Sequence, residues 1–370
     1  MVTVYRTNKF NISTRFIVTD LQSKNPLLSE ITAFMIFGKV PQLNYKLSPP
    51  LKVTLYTRTT QDNQVKVGEI LKTINKIRIN KKEFEFYKKH LRDYYKNITL
   101  DPELEFYKLT LLDEKWDIEE QLKRIRYKEI KKLFNEGFFN KRDTKIIIID
   151  GDKSIKVKST PQEKDRELNN HTNLKTIKED DLIIYKRNIN IVYIQAKYKI
   201  APTTHNFIYL KLLEEVLSKS RNSLINCLRE EKGLVYAIWA KTDVDKEYYS
   251  LKITTATTKN KVTTKNKVKE VQREIEKIIK EADKLRAEDL KDIKEMIINR
   301  KQIDLETTLD IGEKYYKHYL FNTGVTPKIF YKEVAKTKIE DFKHFLNKEV
   351  IKGKKYLTFL GNINREEVII

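Results

Sequence analysis

Two side chains that could donate hydrogen bonds to a reacting carbonyl group lie seven residues apart in the segment 228–236, which reads Leu-Arg-Glu-Glu-Lys-Gly-Leu-Val-Tyr. Gly233 tolerates a positive φ, so a helix ending near Lys232 can reverse there into a strand. Arg229 and Tyr236 would then converge on one point from two different elements. A guanidinium and a phenol are suitable donors to a carbonyl oxygen that becomes an oxyanion. Alone, Arg229 would be interpreted as a surface residue of a helix and Tyr236 as a half-buried residue of a strand, so the prediction depends on their shared context.

The segment 228–236 must be positioned by the strands and helices that the surrounding sequence predicts. Alternating side chains predict strands over 190–198 and 248–254. Apolar residues at helical spacing predict helices over 207–217, 268–285 and 287–302. This order predicts a mostly antiparallel sheet with helices covering one of its faces.

The first part of the chain has the same internal order as the second. Helical segments are followed by a short basic turn, a hydrophobic strand and a glycine in both parts. The first part closes on Lys145–Ile149 and Gly151, and the second on Tyr356–Leu360 and Gly361. This repetition predicts two homologous α/β sandwich halves, of which the first is shortened before Lys82.

The predicted domain boundaries follow from this repetition. Residues 1–151 form the degenerate N-terminal half, and residues 187–370 form the C-terminal half that carries the Arg/Tyr motif. The polar, highly charged stretch 152–186 between them has no sustained periodicity and is predicted to be a linker.

The segment Ser223–Tyr236 resembles the C-terminal half of pitrilysin/insulinase-type zinc metallopeptidases. In that family an Arg and a Tyr in an LRExxGLxY context face the active-site cleft. The resemblance implies that Arg229 and Tyr236 contact the substrate backbone and stabilise charge near the scissile carbonyl. It extends over the second half of the chain and, more faintly, over residues 50–151.

Catalytic members of that family carry an inverted zinc signature, H-x-x-E-H, on an early helix. The five histidines of this chain are all more than 20 residues apart, so none can form the helical pair; they are His90, His171, His205, His318 and His344. The sequence His90-Leu91-Arg92-Asp93-Tyr94 is the nearest imitation, and the predicted helix over 27–38 offers Glu30 but no nitrogen ligand. We therefore expect no metal in this chain and no autonomous activity.

The formal net charge of +22 is the strongest compositional feature. A basic surface attracts nucleic acid, anionic lipid or acidic peptide. The alternative is compositional drift, since Lys, Ile, Asn and Tyr all have A/T-rich codons. The single cysteine, Cys227, excludes an intramolecular disulfide and lies in an apolar run, which favours a core position over a nucleophile. No signal peptide is apparent, so a soluble cytoplasmic protein is expected.

The resemblance implies a zinc-less subunit of a bacterial heterodimeric metallopeptidase. A homologous partner bearing H-x-x-E-H would supply the zinc, and this chain would supply Arg229 and Tyr236. Short peptides, acidic ones among them, would be cut during peptide maturation or leader removal. Three alternatives stay open: a catalytically inactive peptide-binding or scaffold protein, a basic nucleic-acid-binding protein, and an unrelated α+β protein with a chance motif.

Overall fold

The computed structural model describes the chain in thirteen ranges: 2–6, 12–20, 26–40, 44–48, 52–60, 67–98, 100–112, 118–135, 144–150, 181–245, 247–259, 267–321 and 323–369. The chain divides into two compact units, each with its own five-stranded sheet.

Ten strands are formed within the described ranges: β1 Val2–Arg6, β2 Ile12–Asp20, β3 Asn44–Ser48, β4 Lys52–Thr60, β5 Thr144–Asp150, β6 Leu182–Lys186, β7 Ile191–Ile200, β8 Ile238–Val244, β9 Tyr249–Thr258 and β10 Lys355–Gly361. The same ranges contain these α-helices: α1 Pro26–Lys39, α2 Val67–Lys76, α3 Lys81–Ile98, α4 Pro102–Leu112, α5 Ile118–Arg124, α6 Tyr127–Asn135, α7 Thr204–Lys219, α8 Lys267–Glu281, α9 Ala287–Asn299, α10 Lys301–Asp304, α11 Thr308–Phe321, α12 Pro327–Lys336 and α13 Ile339–Phe345. Two π-helical segments, Ile225–Glu231 and Leu346–Ile351, accompany them; the first is called the motif helix below.

The sheet of the first unit has the strand order β1-β5-β2-β4-β3. Strands β1 and β5 are parallel, and the other pairs are antiparallel. Helices α1, α3, α5 and α6 of this unit share one hydrophobic core. Apolar residues recur every three or four positions in these helices, which places their side chains on a single face of each helix. The buried residues of this core include Leu27, Ile31, Phe84, Leu91, Leu122 and Ile130.

The sheet of the second unit repeats this topology in the order β6-β10-β7-β9-β8. Again the first pair, β6 and β10, is parallel and the remaining pairs are antiparallel. Helix α7 packs on β8 and β9, and α8 packs on β9. Val268, Val271 and Ile275 form the buried stripe of α8. The predicted fold of two similar α+β halves is therefore confirmed.

The connection between the first helix and the third strand differs in length between the two halves. Four residues, 40–43, separate α1 from β3, whereas residues 220–237 separate α7 from β8. The longer connection contains the motif helix and Tyr236. The first half is thus shorter where the second carries the predicted site, and this position lies before Lys82 as the sequence predicts.

Each compact unit also takes a segment from the other part of the sequence. Residues 303–322 cluster with the first unit and residues 106–115 with the second. Helix α11 packs on β2 and β5, where the buried hydroxyls of Thr14 and Thr308 lie 2.8 Å apart. The proposed halves 1–151 and 187–370 are consequently divisions of the sequence, whereas the packed units interleave them.

Strand β6 falls within the segment predicted to be a linker. Its residues, Leu182–Lys186, pair with β10, because Leu-Ile-Ile is a β-forming sequence and the edge of β10 is open to it. The sheet of the second unit therefore begins earlier than the sequence predicts. The rest of the predicted linker, up to residue 180, lies outside the described residues.

Candidate functional site

The motif helix ends at the reversal that the sequence predicts. Gly233 has a φ of 58°, in the left-handed region that glycine adopts without steric cost. The N–H of Gly233 donates to the carbonyl oxygen of Arg229 at 3.1 Å, and the N–H of Leu234 donates to that of Leu228 at 2.8 Å. These bonds satisfy carbonyl groups at the helix end and turn the chain toward β8.

Tyr236 does not lie in a strand, although the sequence predicts that the chain reverses at Gly233 directly into one. Strand β8 begins at Ile238, and Tyr236 belongs to the loop 232–237 that precedes it. Its side chain is 86% exposed, while Leu234 and Val235 before it are buried. The loop is thus anchored by its apolar residues and presents the phenol to solvent.

Two buried threonines of β9 hold the backbone of this loop. The hydroxyl of Thr257 donates to the carbonyl oxygen of Leu234 at 2.7 Å, and that of Thr255 donates to the carbonyl oxygen of Ala237 at 2.7 Å. A carbonyl bonded to a buried hydroxyl has few alternative partners, so its position is fixed. The two bonds hold residues on either side of Tyr236 in the sequence and so restrict the position of its Cα atom.

The structure brings Arg229 and Tyr236 together. The guanidinium carbon of Arg229 lies 5.8 Å from the centroid of the Tyr236 ring, within the range of a cation–π contact. The Nε atom of Arg229 also lies 3.5 Å from a carboxylate oxygen of Glu230, and its side chain is 51% exposed. Both groups can therefore reach a ligand in solvent with their remaining donors.

A further ion pair fixes the turn between the two residues. The Nζ atom of Lys232 lies 2.5 Å from a carboxylate oxygen of Glu274 on α8. The hydrogen bond to Glu274 raises the pKa of Lys232, so this lysine stays charged at neutral pH. The turn is thereby attached to a neighbouring helix.

Cys227 lies on the motif helix but shows no sign of activation. Its side chain is partly buried, and burial, with nearby Glu231, raises the pKa of the thiol. A raised pKa keeps the sulfur protonated at neutral pH, whereas a nucleophile requires the thiolate. Cys227 is therefore not activated as a nucleophile, but it is only partly buried and does not take the core position that the sequence favours.

The early helix predicted over 27–38 is confirmed as α1, and its inward face is occupied by non-ligating contacts. The buried Glu30 accepts a hydrogen bond of 2.6 Å from the hydroxyl of Tyr95. Phe34 packs edge-on against His90, with ring centroids 5.6 Å apart. Among the described residues no group of three or more His, Cys, Asp or Glu is arranged to hold a metal ion. The residues present here do not fit a zinc centre.

The anchoring residues Thr255, Thr257 and Glu274 were not identified from the sequence. The predicted strand over 248–254 ends before both threonines, and β9 in fact continues to Thr258. The segment Ile253-Thr254-Thr255-Ala256-Thr257, in which four of the five residues are β-branched, is the signal that could have extended the predicted strand.

Comparison with known proteins agrees with this architecture. Residues 122–297 match the family model described as the peptidase M16 inactive domain. No curated protein matches the sequence. A protease from Helicobacter pylori superposes with a TM-score of 0.76 at 13% identity, covering 97% of this chain and 96% of that one. A peptidase M16 inactive domain from Pseudomonas fluorescens gives 0.71 at 11% identity, covering 98% and 95%.

The periplasmic protease PqqL from Escherichia coli gives a TM-score of 0.65 at 11% identity, covering 95% of this chain and 43% of that one. Together with the matched inactive-domain model, these folds confirm the predicted resemblance to pitrilysin/insulinase-type (M16) peptidases. The matched description is that of a non-catalytic domain. Within the described residues, no helix has both the length and the apolar character needed to cross a membrane.

Proposed function

We propose that this chain is the zinc-less subunit of a heterodimeric metallopeptidase and supplies Arg229 and Tyr236 to an active site completed by a homologous partner. The observation that carries the proposal is the pair itself. An exposed guanidinium and an exposed phenol are held against each other by a glycine reversal and two threonine hydrogen bonds. A packing role would not require both groups to face solvent.

Arg229 and Tyr236 are suited to hold a peptide backbone. The guanidinium donates from several N–H groups in a fixed plane, and the phenol donates from one O–H. Directed at the same carbonyl oxygen, such donors stabilise the negative charge that develops during attack on the carbonyl. Because their backbone is already fixed, little further ordering is needed when a substrate binds.

The zinc ion would be held by the partner, through an H-x-x-E-H signature, and would supply the activated water. This assignment follows from α1, where Glu30 is bonded to Tyr95 and no histidine pair is available. The description of the matched family as an inactive domain supports dependence on a homologous subunit. Short peptides would be processed, as in peptide maturation or removal of a leader.

Reconstitution tests this proposal. The chain is mixed with a homologue that carries H-x-x-E-H, and cleavage of a quenched-fluorescence peptide is followed for each protein alone and for the mixture. We expect activity from the mixture only, and its loss with Arg229→Ala. Lys291→Gln, on the exposed surface of α9, is the matched charge control and should keep full activity.

A scaffold or peptide-binding protein is the alternative outcome of the same experiment. It is indicated if the two chains co-elute, the mixture cleaves peptide, and neither Arg229→Ala nor Tyr236→Phe changes the rate.

A further inference from the structure

A row of three lysines crosses the second sheet beside the candidate site. The register places Lys241 of β8 opposite Lys252 of β9, and Lys252 opposite Lys197 of β7. Residues directly opposite on neighbouring strands share one face of the sheet. A residue adjacent to each lysine along its strand belongs to the other face and is buried, as Ala240, Ile253 and Ala196 are.

Like charges opposite each other on adjacent strands destabilise a sheet. The inner two lysines are partly compensated. Lys252 lies 3.4 Å from a carboxylate oxygen of Asp243, and Lys197 donates to the hydroxyl of Tyr248 at 3.3 Å. Lys241 is exposed and has no ion-pair partner among the described residues. The row therefore places its uncompensated positive charge at the β8 edge of the sheet.

An exposed aromatic residue lies beside Lys241. Trp239 precedes it by two residues on β8 and so shares its face, about 7 Å away along the strand. Trp239 is 43% exposed, and among the Phe, Tyr and Trp side chains whose burial is described in 181–369, Trp239 and Tyr236 are the exposed ones. Large exposed aromatic residues are typical of binding surfaces.

The distance from Tyr236 to Lys241 fits a short extended peptide. Five residues of extended chain span at most about 17 Å. Strand β8 is the outermost strand of its sheet in the described residues, so Trp239 and Lys241 are reached from solvent at this edge. Lys252 and Lys197 are largely covered and act on a ligand through their field rather than by separate contacts.

We propose that Trp239 and Lys241, with Lys252 and Lys197 behind them, form a subsite that selects an acidic side chain in an extended peptide. The acidic side chain lies within about five residues of the peptide segment that contacts Arg229 and Tyr236. This inference rests on the proposed function for the presence of a peptide at that pair. The occupant is a peptide rather than a nucleic acid, because only one cation of the row is exposed, whereas a polynucleotide requires several accessible cations along its backbone.

The test measures binding to the chain alone by fluorescence anisotropy. The probes are two labelled peptides that differ at a single position, Glu in one and Gln in the other. The unaltered chain should bind the Glu peptide more tightly, and Lys241→Gln should remove that preference, a change of about twofold to fivefold. The preference should weaken as salt is raised. Lys291→Gln, which removes an equal charge from α9, should leave the preference intact.

Trp239→Ala should lower the affinity for both peptides alike, by roughly twofold to tenfold. A preference for Glu that persists in Lys241→Gln would overturn the inference, as would equal binding of both peptides or no binding of either. Displacement of the Glu peptide by a generic RNA at lower concentrations than by unlabelled peptide would assign the lysine row to nucleic acid and overturn it too.

Cleavage by the reconstituted pair separates this inference from the proposed function. If Arg229→Ala abolishes cleavage of both peptides while Lys241→Gln leaves their ratio unchanged, the subsite is wrong and the proposed function stands. If no zinc-bearing homologue yields cleavage but the chain alone binds the Glu peptide through Lys241, the proposed function fails and the subsite stands.

Discussion

Replacement of Gly233 tests whether the left-handed residue positions the Arg/Tyr pair. Gly233 has a φ of 58°, and a Cβ atom added there would meet no heavy atom within 4 Å. The cost of alanine is therefore conformational, about 1–2 kcal/mol for an L-residue in the left-handed region. Alanine also reduces the conformational entropy of the unfolded chain, and this offsets about 0.4–1 kcal/mol of that cost. We expect Gly233→Ala to lower the free energy of unfolding by about 1 kcal/mol.

Urea unfolding followed by circular dichroism measures this change, which should lower the midpoint without altering the m-value. Gly233→Asn should lose less, because asparagine adopts this region more readily than alanine. Gly324→Ala is the matched control, since its φ is 72° and an added Cβ would meet only the Thr204 hydroxyl at 4.0 Å. It should lose similar stability, yet only Gly233→Ala should also slow cleavage by the reconstituted pair. Full stability in Gly233→Ala would refute the argument from backbone strain.

Two further predictions concern hydrogen bonding and ionisation. Thr257→Val removes the donor to the Leu234 carbonyl and should lower the free energy of unfolding, measured in urea, by about 1–3 kcal/mol. Thr258→Val, at the exposed end of β9, is the control and should lower it little. Equal losses in the two variants would contradict an anchoring role for Thr257. Burial raises the pKa of Tyr249 to about 12, and burial also raises the pKa of Tyr198. Unfolded tyrosines lose their protons near pH 10, so stability should be complete below about pH 10 and should decline toward pH 12. Urea unfolding over this pH range checks the sign, and Tyr249→Phe should make the decline shallower; a rise in stability with pH would contradict it.

Elements with strong local signals could be predicted from the sequence. Helix α1 is bounded by Pro26 and Lys39 where a helix over 27–38 is expected, and β7 covers Ile191–Ile200 where a strand over 190–198 is expected. The reversal at Gly233 was predictable because glycine is the residue that most readily adopts a positive φ. The convergence of Arg229 and Tyr236 followed from that reversal.

Features that depend on distant parts of the chain could not be predicted in this way. The contact between Thr14 and Thr308 joins residues 294 positions apart, so no local pattern places 303–322 in the first unit. The exposed loop position of Tyr236 depends on Thr255 and Thr257, which lie about 20 residues further along the chain on β9. The lysine row is likewise set by strand register rather than by neighbours in sequence.

The most direct test of the dependent-subunit account is the turnover rate of the reconstituted pair when Arg229 is replaced by alanine. Assembly with the H-x-x-E-H homologue is first verified by size-exclusion chromatography, since Arg229 is exposed and its loss should not disturb folding. The account predicts an intact complex whose kcat is lower by about 100-fold or more, the effect of removing one donor to a developing oxyanion. An intact complex that cleaves peptide at the unaltered rate would contradict it.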